Sequence, residues 1–139
     1  MLEKNVEFIE QYKRLDKLCK ETLNSYEGVS SYISEMEATP FEATVNILEW
    51  DMTYKQIKHF RWMRNQLVHE ISLDEDLSTN EDIMNIKNLH ELIVKAQDPL
   101  SIANRSRQDD YYYSKNNSSS ENQDSFWNKI KTKIKSLFS

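Results

Sequence analysis

Glycine is almost missing from this chain: 139 residues include one, Gly28. A nucleotide-binding βαβ unit, a P-loop or a β-rich fold with tight turns needs several positions of positive φ, so a single glycine argues against all three. Proline is nearly as scarce, with only Pro40 and Pro99. The lone cysteine, Cys19, excludes an intramolecular disulfide framework and a cysteine-based zinc site. No apolar run approaches the ~20 residues needed to cross a bilayer, and the opening MLEKNVEFIE lacks the apolar core of a secretory signal. There is no HExxH or other paired metal-ligand spacing, so neither metal nor cofactor is expected. A soluble, cytoplasmic, all-α protein is the expectation that survives.

What is present is strongly patterned. Residues 1–123 carry 14 Lys and Arg against 22 Asp and Glu, a balance of −8, whereas residues 124–139 carry 4 against 1, a balance of +3. An acidic body does not favour general nucleic-acid binding, which rests largely on neutralising phosphates. The basic tail is a separate object.

Apolar residues recur at helical spacing through most of the chain. Phe8, Ile9, Tyr12, Leu15, Cys19 and Leu23 form one stripe of a first helix over about 2–23, ending near Gly28. Cys19, on that stripe, reads as an inert small hydrophobe. A short second helix is predicted over 29–38, with Val29, Tyr32, Ile33 and Met36 inward, stopped by Thr39-Pro40. Residues 41–50 read as a helical turn or a packed loop. A third strong signal spans about 51–71, with Asp51 or Thr53 as N-cap and Tyr54, Ile57, Phe60, Met63 or Arg64, Leu67 and Val68 inward. Ser78 and Glu81 have the form of a capping box opening a helix over 80–97, with Ile83, Ile86, Leu89 or His90, and Ile93 inward. Asp98-Pro99 reads as an N-cap and first helical position for a short helix containing Leu100 and Ile102.

Three regions follow. Residues 1–104 supply a four- or five-helix bundle. Residues 105–124, poor in aliphatic side chains and rich in Asn, Ser and Asp, read as a flexible polar linker in which Tyr111-Tyr112-Tyr113 is the exception. Residues 125–139 read as a basic amphipathic helix: Phe126, Trp127, Ile130, Ile134, Leu137 and Phe138 fall at helical spacing, interleaved with Lys129, Lys131, Lys133 and Lys135. That pattern suits a membrane surface, a groove on a protein partner, or the protein's own acidic body.

The chemistry-bearing words are Arg64-Asn65-Gln66-Leu67-Val68-His69. On a helix Asn65 and His69 stand one turn apart on one face; Arg64 points roughly 140° from His69, but its long side chain can swing back. An imidazole, an amide and a guanidinium within reach of one small volume can cleave a phosphodiester without metal. This resembles the HEPN superfamily, all-helical bundles with an R-x(4–6)-H motif and often a polar residue after the arginine. The resemblance covers about residues 1–105. It implies a metal-independent endoribonuclease of toxin or defence type, acting as a homodimer whose two motif helices form a composite cleft, beside an antitoxin-like protein partner. Carried over, His69 transfers the proton or orients the attacking 2′-hydroxyl, Arg64 stabilises phosphate charge and Asn65 positions the group being cut. Some members of the superfamily are non-catalytic binding modules.

Plainer readings stand beside these. His69 near a helix end can be held by Glu70 or Asp74 and by the helix dipole. Arg64 can pair with Glu35, Glu37 or Glu91. His59 is too far from His69 for joint metal ligation, and His90 reads as a partly buried histidine. Trp50 and Trp62 read as core or interface aromatics. The alternative function is a non-catalytic helical interaction module, peripheral at a membrane or docked on a partner through its tail.

Overall fold

A computed structural model describes residues 2–69 and 74–116, with side chains through Arg107. Among the described residues are six helices and no strand: α1 (Glu3–Leu23), α2 (Val29–Ala38), the single turn α3 (Phe41–Thr44), α4 (Trp50–His69), α5 (Asn80–Val94) and α6 (Pro99–Asn116). The all-α bundle is therefore observed. α1 packs most extensively against α5 and also contacts α2 and α4, while α6 closes over α2, α3 and α4.

The inward stripes meet in one core. Phe8, Leu15 and Cys19 of α1, Val29 of α2, Ile57 and Leu67 of α4, and Ile86 of α5 are fully buried. The Phe8 and Phe60 rings lie 6.1 Å apart and tilted by 57°, a favoured aromatic arrangement. All four residues expected inward on α2 are buried, and its bounds are the predicted ones.

Helix starts depart from expectation in instructive ways. α4 begins at Trp50, so neither Asp51 nor Thr53 caps it. The Glu49 carbonyl already accepts the Thr53 N–H at 2.9 Å, and Thr53 is buried on the inner face. α5 is capped one residue later than predicted, by Thr79 and Asp82 rather than Ser78 and Glu81. The Thr79 hydroxyl accepts the Asp82 N–H at 3.1 Å, and Asp82 accepts the Thr79 N–H at 3.0 Å. Ser78 is unavailable because its N–H and hydroxyl both donate to buried Asn5. At α6 the expected cap is present: Asp98 accepts the Ser101 N–H at 3.2 Å.

One inward assignment fails. Val68 is 51% exposed, because it lies about 100° around the helix from buried Leu67. Ile102 lies at the edge of the buried face of α6 and is exposed. At the two ambiguous pairs, Met63 and Leu89 are the buried members, whereas Arg64 and His90 are half-buried. Residues 41–50 contain one helical turn followed by turns.

The linker expected from residue 105 is helical through Asn116. After Pro99 the chain contains no glycine or proline, so nothing in the backbone chemistry ends α6 early, and Arg and Gln there are good helix formers. The rest of the linker and the predicted C-terminal helix, with Phe126, Trp127, Ile130, Ile134, Leu137 and Phe138, lie outside the described residues.

Cys19 packs as the inert thiol expected. It is fully buried, and burial, reinforced by Asp16 and Asp98, pushes its thiol up to about 12. A disulfide reagent at pH 8 should therefore find no reactive thiol in the native protein and one per chain in guanidinium. Prompt reaction of the native protein would contradict the burial.

Candidate functional site

α4 is the chemically distinctive helix. Between Asp51 and Glu70 the sequence has no acidic residue, yet it carries Lys55, Lys58, Arg61 and Arg64 as well as His59 and His69. Its buried side is set by Thr53, Ile57, Phe60, Met63 and Leu67. The opposite side is open: Lys55, Lys58, His59, Trp62 and His69 are exposed, and Asn65 is half-buried. The folded body thus bears a cationic face despite its net acidity. The signal was present in the sequence, but averaging the charge over 123 residues concealed it.

The motif residues occupy the last turns of this helix. Arg64 Nη1 donates to Asn65 Oδ1 at 3.0 Å. Its guanidinium also lies 5.3 Å from the centre of the Tyr12 ring on α1, a cation–π distance. These contacts hold the arginine beside the amide. None of Glu35, Glu37 and Glu91 pairs with it: Glu37 accepts the Tyr54 hydroxyl at 2.9 Å, and Glu91 is paired with Lys95 at 2.9 Å. Burial pushes the Tyr12 phenol up to about 12, opposed by the nearby positive charge of Arg64. Tyr12 therefore stays neutral and serves as a platform for Arg64.

His69 is the last residue of α4 and is exposed. It stands one turn beyond Asn65, so imidazole and amide share a face. Glu70, one of the acids expected to hold His69, lies outside the described residues.

The other histidines have different surroundings. His59 faces Asp82 of α5 at 3.1 Å and stacks on Trp62, with ring centres 6.0 Å apart and planes 20° from parallel. Trp62 is half exposed, unlike Trp50, which is buried in the core. His90 is partly buried as expected, and burial, with Arg14 nearby, lowers its pKa. Among the described residues no group of three or more His, Cys, Asp and Glu could hold a metal, and no helix is long and apolar enough to cross a membrane.

Neither curated proteins nor solved structures provide a match to this chain. The sequence pattern of a family of unknown function, DUF6548, matches residues 6–137, a span that takes in the bundle, the linker and nearly all of the basic tail. The chain belongs to that family.

Proposed function

We propose that this protein is an HEPN-like, metal-independent endoribonuclease of toxin or defence type, cytoplasmic, acting as a homodimer through Arg64, Asn65 and His69. One observation carries the reading: from Met52 to His69 α4 contributes no acidic residue, and it ends in Asn65 and His69 one turn apart, with Arg64 hydrogen-bonded to Asn65. The cations along its open face offer an RNA strand the phosphate contacts that the net charge of −8 over residues 1–123 seemed to deny it.

In the proposed reaction the neutral His69 imidazole takes the proton of a 2′-hydroxyl. The 2′-oxygen bonds to phosphorus, the bond from phosphorus to the 5′-oxygen breaks, and a protonated His69 of a second copy returns a proton to the leaving oxygen. Arg64 balances charge on the phosphoryl oxygens, and Asn65 fixes the ribose or phosphate beside it. A second reading, a non-catalytic interaction module addressed to a protein partner such as an antitoxin or to a membrane surface, is favoured by four exposed apolar side chains between Phe41 and Met52.

The test is cleavage of RNA by the purified full chain in EDTA. Loss of the proton-transfer group should lower the rate at least about 100-fold in His69→Ala, with a comparable loss in Arg64→Ala. Cleavage that persists in His69→Ala, or a folded wild-type protein that cuts no RNA, would favour the interaction module.

A further inference from the structure

The acidic half of the charge pattern is as segregated as the basic half. Between Lys20 and Lys55 there is no Lys or Arg, but there are seven Asp and Glu. The same stretch holds a run of large apolar side chains left in solvent: Phe41 is 76% exposed, Val45 59%, Leu48 98% and Met52 52%. Phe41 and Val45 stand one turn apart across α3, and Leu48 and Met52 continue the run into α4. Exposed Glu35 and Glu37 end α2, while Glu42, Glu49 and Asp51, also exposed, are interspersed with the apolar positions. Single exposed apolar residues are ordinary, but four in one short stretch interspersed with one sign of charge mark a candidate interaction surface.

We propose that the occupant of this surface is the chain's own residues 125–139. Phe126, Trp127, Ile130, Ile134, Leu137 and Phe138 supply the apolar face, and Lys129, Lys131, Lys133 and Lys135 the charge opposite to those acids. Exposed Lys55 and Lys58 on α4 carry the tail's own sign of charge and disfavour it there. A 15-residue helix is marginal in water by itself and needs a surface on which to form. The chain can reach. α6 packs against α3, and Asn116 lies about 20 Å along the helix from buried Ala103. Residues 117–124 can then span roughly 27 Å on the way back. Tethering at this length supplies a local concentration in the millimolar range, which no separate partner or membrane enjoys. The family match continues to residue 137, across bundle and tail alike.

The experiment uses the full chain, isotopically labelled for NMR, with a spin label on Asn46→Cys, an exposed neutral site within the apolar run; buried Cys19 stays unlabelled. Amides of residues 125–139 should lose intensity selectively, and should keep it when the label sits instead on Asn88→Cys of α5. The loss from Asn46→Cys should reverse on charge reversal of Glu42, Glu49 and Asp51 to Lys, and, with those acids unchanged, at about 1 M salt, where screening shortens to about 3 Å. Equal loss from both label sites, or none from Asn46→Cys, overturns the proposal. So does loss seen only between labelled and unlabelled copies, which would place the tail on a second chain. Full intensity from Asn46→Cys together with co-sedimentation on phosphatidylglycerol vesicles would assign the tail to a membrane instead.

Discussion

Gly28→Ala should destabilise the protein by about 3–5 kcal/mol, enough to halve the stability of an ordinary domain. Gly28 has φ 61° and ψ −119°, a backbone conformation that residues with a Cβ avoid. An added Cβ would stand 2.2 Å from Asp16 Oδ1 and 2.9 Å from the Asp16 backbone oxygen. The carboxylate could rotate away, but the backbone oxygen of a packed helix cannot. Rotation is itself costly, because Asp16 Oδ1 accepts the Val29 N–H at 2.9 Å and so caps α2 from a neighbouring helix. The unfavourable conformation costs about 1–3 kcal/mol and the lost cap about 1 kcal/mol, with the clash in addition. Urea unfolding followed by circular dichroism measures the total. Asp16→Ala, which removes the cap and leaves the backbone unstrained, should cost only about 1 kcal/mol. Equal losses in the two variants would show that the close approach of α1 to Gly28 can relax.

Asn5→Ala is expected to cost about 3–4 kcal/mol, for a different reason: it strands buried donors. Asn5 is fully buried in the first turns of α1. Its Oδ1 accepts the N–H groups of Leu77 at 2.9 Å and Ser78 at 3.1 Å and the Ser78 hydroxyl at 3.1 Å. Its amide nitrogen donates to the Glu75 carbonyl at 3.1 Å. One side chain thus organises the segment that leads into α5. Alanine leaves those groups facing a void, at about 1–3 kcal/mol for each buried one that finds no water. The urea midpoint should fall accordingly, and amide exchange at Leu77 and Ser78 should accelerate before the core does. If exchange there stays as slow as in the core, water has replaced the side chain and the stability loss should be small.

Most of the bundle was legible in local pattern. The stripes of α1 and α2 and the Asp98-Pro99 start of α6 depend on residues a few positions apart, and they form as predicted. What local pattern could not show is chemistry between distant residues. Nothing near Asn5 in the chain marks it as buried, because its partners lie 70 or more positions away. The same contact moves the α5 cap from Ser78 to Thr79, since Ser78 is already committed. At the candidate site, the shared face of Asn65 and His69 follows from helix geometry alone. The support of Arg64 by the Tyr12 ring does not, because Tyr12 sits on another helix. Residues 105–116 are helical despite their scarce aliphatic side chains because no helix breaker follows Pro99.

The packing of α1 on α5 has a consequence for how the protein is made. α1 leaves the ribosome ahead of α5, so its largest apolar partner, and the backbone groups that satisfy Asn5, follow some 72 residues later. At ordinary elongation rates that is a wait of roughly 4–14 s. During it the Phe8 and Leu15 stripe is without its main cover, a long interval beside the microseconds in which helices form. Nascent chains stalled before α5 should therefore recruit chaperones that bind exposed apolar helices. Chains stalled after α6 has emerged should release them.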